Sequence, residues 1–382
     1  MISHLKVKNY RSLADIAVDF EALTVLVGLN GSGKSNLVDV LRFVSEALMH
    51  GLGSAIINRH GMGALRRWSR KGRPYDVEIE LKVSGNGDLV ASYQLSLGSE
   101  SRGGYRVKSE HCEVYDRSSP FPKPIARFLT IDGNWLMPPM DVAPALQPTA
   151  LGLPLLTGLE PFRQVYDLLT NTSFYNIVPN DLAEPQKPVN AYPLMERGDN
   201  LASLLRDLRR SHATVSKELE DALNSVTGDV LGYQVAQVGG YLVTKLRHAG
   251  AGKDQQPLFE LSQESDGTLR MLGILSALYQ TPPRGLIVLE EPELTIHPGA
   301  MGLLWEEIVT ATRQRQTQVI LTTHSPDLLD MCEADQIRVV EKINGMTHVG
   351  PVAEEQKQII QQKLFAPGQL LQAQGLRRAG AA

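Results

Sequence analysis

Eight consecutive residues near the start of the chain restrict its fold and chemistry more than any other segment. Residues 28–35 read Gly-Leu-Asn-Gly-Ser-Gly-Lys-Ser, directly after an apolar run at 23–27 and before helical spacing that begins at Asn36. A glycine-rich turn between a strand and a helix exposes backbone N–H groups to phosphates, while Lys34 reaches the β and γ phosphates and Ser35 holds Mg2+. The segment therefore predicts a phosphate-binding loop for a nucleoside triphosphate. Its predicted nucleotide-binding residues are Asn30, Gly31, Ser32, Gly33, Lys34, Ser35 and Asn36.

The composition is that of an ordinary globular protein. The 382 residues are 42% hydrophobic and 21% charged, which suits two to three domains or one large α/β domain with an insertion. A formal charge of −4 provides no long-range attraction to nucleic acid or to an anionic membrane, so such binding would need a local patch. Cys112 and Cys332 lie far apart without metal-binding spacing, which indicates a reducing compartment and no structural zinc. Because no apolar stretch reaches ~18 residues, we expect a cytoplasmic protein without a membrane partner.

Hydrophobic spacing indicates three parts, which we assign as domains 1–97, 98–230 and 231–382. The first part contains strands before the loop, a helix that Gly51 ends, and an antiparallel sheet that follows the helix. Strands are predicted in this part at residues 5–7, 16–20, 23–27, 77–83 and 89–97.

The remaining two parts are less regular. Residues 98–161 are interpreted as loops and short strands, and residues 160–228 as a mostly helical insertion. Alternating strands at 233–238 and 241–246 are expected to return the chain to the main sheet. Buried central strands are predicted at residues 286–289, 319–322 and 337–340.

Two adjacent carboxylates, Glu290 and Glu291, follow the apolar run at residues 286–289. Successive residues at a strand end point in opposite directions, so one carboxylate can hold Mg2+ while the other orients an attacking water. We assign Glu290 to the metal, together with Ser35, and Glu291 to the water.

A histidine, His324, follows the apolar strand predicted at residues 319–322. Ligands of open parallel sheets bind beyond the carboxyl ends of the strands, which places His324 near the γ-phosphate. A histidine of this kind is more often structural when it stands alone, but the neighbouring motifs favour a function. The predicted catalytic residues are therefore Lys34, Glu291 and His324.

A third segment, residues 264–270, precedes an apolar helix and reads Glu-Ser-Asp-Gly-Thr-Leu-Arg. Ser265 and Gly267 would lie at the helix N-terminus, where unpaired N–H groups and the helix dipole favour an anion. An ordinary helix cap is an equally weighted alternative for this segment taken alone.

Together these segments resemble the ABC-type ATPases of the SMC, RecF and OLD group, especially the small RecF-like ATPases that lack a coiled coil and a nuclease domain. The resemblance follows the chain in order and covers most of it. The matching segments are residues 7–13, 28–35, 174–177, 265–270, 289–293 with His297 and Pro298, and 323–326.

The resemblance implies an α/β fold, a P-loop ABC-type ATPase head with a mixed central sheet, an antiparallel β subdomain and a helical insertion. It implies that ATP and Mg2+ are bound and that two chains form an ATP-dependent homodimer, with higher assembly left open. Ser265, Asp266 and Gly267 would then contact, in trans, the γ-phosphate bound to the other subunit. Arg11 would contact the adenine or the α-phosphate. His297 would lie in the loop between subunits or merely cap a turn.

One departure from the family concerns the glutamine that usually binds the metal between the phosphate-binding loop and the helical insertion. No glutamine occurs before Gln94, which lies in a strand-like context. Either Gln94 is displaced into this role or another group, such as Asn58, replaces it.

Two functional hypotheses remain open. In the first, the chain is the ATP-driven sensor or regulator of a bacterial antiphage defence complex and controls a separate effector such as a nuclease. Only 58 residues follow His324, which we expect to be too few for a nuclease domain of its own. In the second, the chain is a RecF-like clamp on DNA in repair or replication. A nucleotide switch that does not hydrolyse and a transporter ATPase are weaker alternatives.

The strongest local indication of DNA or RNA binding is the segment 66–73, Arg-Arg-Trp-Ser-Arg-Lys-Gly-Arg. Clustered cations can neutralise phosphates and a tryptophan offers a stacking face. A solvated basic hairpin or a contact to an acidic partner is a slightly favoured alternative, and Arg209 with Arg210 form a weaker candidate. The predicted nucleic-acid contacts are Arg66, Arg67, Arg70, Lys71 and Arg73.

Overall fold

The structure of the protein is a computed structural model that describes residues 1–69, 74–85, 87–118, 123–141, 143–250 and 256–380. Within these ranges, no helix has both the length and the apolar character needed to cross a bilayer. The strands are β1 Ile2–Tyr10, β2 Leu13–Asp19, β3 Leu23–Val27, β4 Val77–Ser84, β5 Leu89–Ser99, β6 Tyr105–Asp116, β7 Ala126–Ile131, β8 Asn134–Met137, β9 Thr172–Tyr175, β10 Val230–Val238, β11 Tyr241–His248, β12 Leu258–Glu260, β13 Leu286–Glu290, β14 Gln318–Thr323, β15 Ile337–Ile343 and β16 Met346–Pro351. The helices are α1 Lys34–His50, α2 Leu52–Ile57, α3 Met62–Leu65, α4 Glu160–Thr170, α5 Pro179–Ala183, α6 Leu201–Ser211, α7 Ala213–Thr227, α8 Asp266–Tyr279, α9 Pro298–Gln314, α10 Pro326–Leu329, α11 Glu354–Gln361 and α12 Pro367–Gln374.

Among the described residues, the main sheet has 13 strands in the order β8-β7-β6-β5-β4-β1-β2-β16-β15-β3-β14-β13-β9. Strands β8 to β2 pair antiparallel, whereas β15, β3, β14, β13 and β9 pair parallel. The carboxyl ends of these parallel strands meet at one edge, so residues that follow them converge there.

The parallel part is buried on both faces, and the two-residue period of β3 shows how. Leu26 packs into one hydrophobic core with α1 and the antiparallel strands, while Val25 and Val27 pack into a second core with α8 and α9. Continuous apolar runs are typical of strands covered by helices on both sides. This explains why the buried strands predicted at 286–289, 319–322 and 337–340 are confirmed as β13, β14 and β15.

Helix α1 follows the phosphate-binding loop and fixes it to the first core. Leu37, Leu41, Val44 and Leu48 recur every three or four residues and are buried, which is the pattern of a helix with one core-facing side. Gly51, at φ 87°, ends the helix as predicted because a residue with a Cβ rarely adopts that conformation.

Two sequence expectations need correction, the interpretation of residues 98–161 as loops and short strands and the sheet assigned to the strands at 233–246. Residues 98–161 contain β6, a strand of 12 residues that pairs with β5, so the predicted domain boundary after residue 97 falls within a strand hairpin. The buried Glu110 interrupts the apolar alternation of β6 and hid its length. The insertion at 160–228 also contains β9, a strand of only four residues that is too short to show a period.

The strands predicted at 233–238 and 241–246 form, but they do not rejoin the main sheet. As β10 and β11 they pair with each other and, through β11, with β12 in a separate three-stranded sheet. Their alternation predicts strands but carries no information about partners. Tyr233 packs with α6 and α7, so this sheet belongs to the helical part of the second core.

Candidate functional site

The phosphate-binding loop connects β3 to α1 at the edge where the parallel strands end. Gly31 and Gly33 have φ angles of 77° and 112°, which only glycine adopts readily. The Lys34 side chain folds back along the loop, and its Nζ donates to the carbonyl of Gly28 at 2.5 Å and of Leu29 at 3.4 Å. Burial lowers the pKa of Lys34, while the carboxylates of Glu291 and Glu293 act in the opposite direction.

A cavity of about 460 Å³ lies beside this loop. The structure brings the predicted loop residues and both predicted carboxylates to its wall, and it adds four residues that the sequence analysis did not assign. The predicted residues that line it are Asn30, Gly31, Ser32, Gly33, Lys34, Ser35, Asn36, Glu290 and Glu291. The additional residues are Asn176, Leu294, Thr322 and Lys342.

Glu290, the last residue of β13, lies beside a positively charged side chain of the same protein. The Arg42 guanidinium of α1 lies 3.3 Å from Glu290 and 2.6 Å from Glu196, and it stacks 5.0 Å from the centre of the Phe174 ring. Burial raises the pKa of Glu290, and the charge of Arg42 opposes that shift. The arrangement keeps a partly buried carboxylate at the cavity wall.

Glu291 follows β13 with a left-handed backbone, at φ 46°. Its N–H donates to the carbonyl of Thr322 at 2.9 Å and to the hydroxyl of the same residue at 3.2 Å, so β14 holds this strained conformation in place. His324 lies beyond the end of β14, and its Nδ1 is 3.3 Å from the Glu291 carboxylate. The predicted histidine thus lies beside the predicted base rather than on the cavity wall.

Glu293 connects the loop that follows β13 to the end of β14. Its Oε1 accepts from the Thr323 hydroxyl at 2.5 Å and from the His324 backbone at 3.4 Å. The side chain is buried, at 8% exposure. The run Glu-Glu-Pro-Glu at 290–293 contains this residue, but no role is predicted for it from sequence.

Asn176 follows β9, which is parallel to β13, and it therefore reaches the same edge of the sheet. Its N–H donates to the carbonyl of Glu196 at 3.1 Å, and the residue lines the cavity. Gln94 lies exposed on β5 and Asn58 follows α2, and neither lines the cavity. Neither Gln94 nor Asn58 therefore lies at the predicted metal site beside Ser35 and Glu290, whereas Asn176 does.

The segment predicted to act in trans lies at the start of α8 and outside the cavity of its own chain. Ser265 is exposed and caps the helix, with its Oγ accepting from the Thr268 N–H at 3.2 Å. A Cβ on Gly267 would approach the Thr295 carbonyl to 2.8 Å, so the loop after β13 packs closely against this helix start. Asp266 is exposed beside them.

Arg270 of α8 is buried and connects the helix to two parts of the site. Its guanidinium donates to the carbonyl of Ile177 at 2.7 Å and of Leu294 at 3.2 Å. His297 caps α9, with Nδ1 accepting from the Gly299 N–H at 3.1 Å, which agrees with the capping alternative.

Two family profiles match the chain. The family described as "AAA domain, putative AbiEii toxin, Type IV TA system" matches residues 152–330, and the "AAA ATPase domain" matches residues 1–62. The OLD nuclease of Thermus scotoductus is 23% identical over 372 residues, which cover 90% of this chain and 62% of the relative. The chain thus spans less than two thirds of the curated relative that it matches.

The fold is similar to that of solved SMC heads. The SMC head bound to the C-winged helix domain of ScpA has a TM-score of 0.55 at 14% identity, with 93% of this chain and 99% of that chain covered. The Smc head with an extended coiled coil, bound to the C-terminal domain of ScpA derived from Pyrococcus furiosus, has a TM-score of 0.57 at 12% identity, with 95% and 99% covered.

The chain is thus similar to P-loop ATPases of the SMC, RecF and OLD type in its sequence matches and in its fold. The predicted fold, an α/β ABC-type head with a mixed sheet, is confirmed.

Arg11 lies near the phosphate-binding loop of this ATPase head but does not line the cavity. It follows β1 with φ 46°, and its guanidinium pairs with Asp39 of α1 at 3.0 Å. Its contact with the nucleotide stays a prediction.

The basic segment is only partly described. Arg66 and Arg67 are half-buried where the chain runs beside the end of β1, and Trp68 is 78% exposed. Arg70, Lys71 and Arg73 lie outside the described residues. Arg209 donates to the Tyr233 carbonyl and stacks on that ring, which supports a structural role for it.

Proposed function

We propose that the chain binds ATP with Mg2+ and hydrolyses it. The observation that carries this proposal is the cavity in which Lys34 and Ser35 of the phosphate-binding loop face Glu290 and Glu291 at the end of β13. Nucleotide hydrolysis needs cationic and N–H groups for the phosphates together with carboxylates for the metal and the water. The family matches support the same activity.

The oxygen ligands of the cavity fit Mg2+. The Ser35 hydroxyl, the Glu290 carboxylate and the Asn176 amide are hard oxygen donors. Within the described ranges, no group of three or more His, Cys, Asp or Glu side chains could hold a metal by itself. The ion would therefore share its ligands between these side chains and the nucleotide, as Mg2+ usually does at phosphate sites. When bound, it neutralises charge on the β and γ phosphates.

The residues of the chain then have separate tasks in hydrolysis. Lys34 exchanges the carbonyls of Gly28 and Leu29 for phosphate oxygens, which bind a cation more strongly than a carbonyl does. Glu291 orients the attacking water and takes its proton as general base. His324, beside the Glu291 carboxylate, restricts the directions in which that carboxylate can point.

The second part of the proposal is that two chains close over two nucleotides. Ser265, Asp266 and Gly267 lie at the start of a 14-residue helix, outside the cavity of their own chain, and Ser265 and Asp266 are exposed. N–H groups at a helix N-terminus suit a phosphate supplied by another molecule. The arrangement supports a homodimer in which this segment completes the γ-phosphate site of the other subunit.

The proposed biological role is regulation of a separate effector in an antiphage defence complex. The match to a family described as a putative AbiEii toxin and the similarity to an OLD nuclease support a place among such systems. A RecF-like clamp on DNA is the second candidate. The observation that favours it is Trp68, an exposed aromatic side chain between basic residues, since aromatic faces stack on bases.

The binding of ATP can be tested with Lys34→Ala. We expect this variant to lose ATP affinity in a calorimetric titration and to lose phosphate release, because the phosphates lose their cation. Lys82→Ala, on the exposed face of β4, is the matched control and should keep both. An unchanged ATP affinity in Lys34→Ala would reject the proposal.

The trans arrangement can be tested by mixing two inactive variants, Lys34→Ala and Ser265→Ala. In a mixed dimer one composite site contains both intact groups, so statistical pairing predicts recovery of about a quarter of the wild-type rate. Sites that work within one chain would show no recovery, and a Ser265→Ala variant that is fully active alone would also contradict the model of two chains.

A further inference from the structure

The hairpin β15–β16 packs directly against the phosphate-binding loop. A Cβ on Gly28 would approach the Val340 carbonyl to 2.1 Å, so the end of β15 lies against the start of the loop. From β16, the Thr347 hydroxyl donates to the Ser32 carbonyl at 2.9 Å, and a Cβ on Gly33 would meet that hydroxyl at 2.1 Å. These contacts fix the position of the hairpin relative to the site where phosphates would bind.

The register of this hairpin places one lysine beside the loop. Lys342 of β15 is the cross-strand partner of Thr347, and partners in an antiparallel pair have their side chains on the same face. Lys342 also lies two residues beyond Val340, whose side chain packs into the core that contains α1. Because side chains alternate along a strand, Lys342 lies on the face of the sheet that carries the loop and α1.

The side chain of Lys342 is exposed and lines the nucleotide cavity. The neighbouring Glu341 pairs with Arg378 at 3.6 Å, whereas no ion pair among the described residues involves Lys342. Lys34 differs, since it is already bonded to two loop carbonyls. The cavity contains Glu290 and Glu291, so a triphosphate would bring further negative charge to a place that already has two carboxylates.

We propose that Lys342 is a second phosphate-binding cation of this cavity, supplied by the hairpin rather than by the phosphate-binding loop. The proposal rests on the proposed binding of ATP. An ammonium group on a strand end is mobile and solvated before binding, so its contribution is smaller than that of a preorganised loop. Lys342 increases the affinity of the site for the phosphates, whereas Glu291 remains the residue that orients the attacking water and takes its proton.

Charge variants at position 342 test this role. We expect Lys342→Gln to weaken ATP binding about five-fold, as for a partly solvated ion pair. Lys342→Arg keeps the positive charge and should bind ATP nearly as well as the wild type, and Lys342→Glu should bind ATP more weakly than Lys342→Gln. The affinity is measured by calorimetric titration of the full chain with ATP, without turnover, and the ratio between wild type and Lys342→Gln should shrink in high salt because exposed charges are screened.

Two controls separate this inference from the proposed function. Lys82→Gln removes an exposed lysine from β4 and should bind ATP like the wild type. If Lys342→Gln binds like the wild type while Lys34→Ala does not, the role of Lys342 is wrong and ATP binding stands. If Lys34→Ala also binds ATP normally, the proposed function itself is wrong. Equal losses in Lys342→Gln, Lys342→Arg and Lys342→Glu would show a structural effect and would overturn the proposal.

Discussion

The antiparallel and parallel parts of the main sheet each bury a carboxylate, but the two carboxylates differ in how many of their oxygens accept hydrogen bonds. In the antiparallel part, Glu110 of β6 is 0% exposed. It accepts hydrogen bonds from the Tyr93 hydroxyl at 2.9 Å and from the N–H groups of Gly152 and Leu153. Both of its oxygens are used to hold the chain at Gly152 against the sheet.

In the parallel part, Glu293 accepts from Thr323 and from the His324 backbone through Oε1, while its Oε2 has no hydrogen-bond partner among the described residues. A buried polar atom without a partner costs free energy and calls for an explanation. Burial of a carboxylate alone therefore does not identify a functional site. Glu110 uses both oxygens to hold the chain, whereas Glu293 keeps one unused oxygen and lies close enough to Lys34 and Arg270 to affect the pKa of both.

The largest effect of a substitution is expected on the rate of ATP hydrolysis, at the edge where the parallel strands end. Glu291→Gln keeps the shape of the side chain but cannot take a proton, so the rate of phosphate release should fall about a hundred- to a thousand-fold. ATP affinity should change little, because the phosphates bind to the loop. Glu110→Gln is the control from the antiparallel part and should hydrolyse ATP at the wild-type rate. Normal turnover in Glu291→Gln would contradict the assignment of the base.

The next effect concerns stability and belongs to the antiparallel part. Glu110→Ala leaves two buried N–H groups and the Tyr93 hydroxyl without their partner, which should lower the free energy of unfolding by about 3 kcal/mol. Urea denaturation followed by circular dichroism measures the change. ATP affinity of the folded variant should match the wild type. A midpoint identical to that of the wild type would show that Glu110 does not hold this region together.

The pH dependence of stability distinguishes Glu110 further. Burial raises the pKa of Glu110 to about 7, although the hydrogen bonds from Gly152, Leu153 and Tyr93 oppose the shift. The folded chain therefore binds this proton more tightly than the unfolded chain. The resulting stability is fully present below the unfolded pKa and is lost as the pH rises through 7.

Compared with Glu110→Gln, the wild type should lose roughly 2 kcal/mol of unfolding free energy between pH 5 and pH 8. Urea denaturation of both proteins across this range provides the measurement. Parallel pH curves for the two proteins would mean that the carboxyl group does not titrate there.

The smallest effect is expected at Asn176, which follows β9 at the same edge of the sheet as Glu290 and Thr323. Asn176→Ala removes an amide oxygen from the cavity, and we expect the Mg2+ concentration for half-maximal hydrolysis to rise about ten-fold. Asn58→Ala and Gln94→Ala should leave this concentration unchanged, because neither side chain lines the cavity. If Gln94→Ala raised the Mg2+ concentration for half-maximal hydrolysis and Asn176→Ala did not, Gln94 rather than Asn176 would be the residue near the metal.

Sequence predicts the position of a residue in the fold well where its short motif stands next to a buried strand. Lys34, Glu290, Glu291 and His324 each follow or adjoin an apolar run, and parallel strands bring their carboxyl ends together. Asn176 lies in the matching segment 174–177 but received no predicted role, because β9 has four residues and, among the described residues, pairs with β13, far along the chain. Lys342 carries no motif, and only the register with Thr347 places it beside the loop.

The fold shows the same division between local pattern and distant pairing. The alternation at 77–83 and 89–97 predicts a hairpin, because the two strands are neighbours in sequence. The alternation of β10 and β11 predicts strands equally well, yet their sheet is a different one, since helix packing decides where a hairpin lies. Glu110 weakened the pattern of β6 because its hydrogen-bond partners come from residues 93, 152 and 153.

The contact between Arg42 and Glu290 balances a partly buried charge in the folded chain. A partly buried carboxylate without a positive neighbour would oppose folding until a metal ion arrived. Because α1 supplies that neighbour, at 3.3 Å, the charge of Glu290 is balanced by a residue of the same chain. On the proposed function, a metal ion at this site would therefore exchange for the guanidinium of Arg42 rather than meet an uncompensated carboxylate.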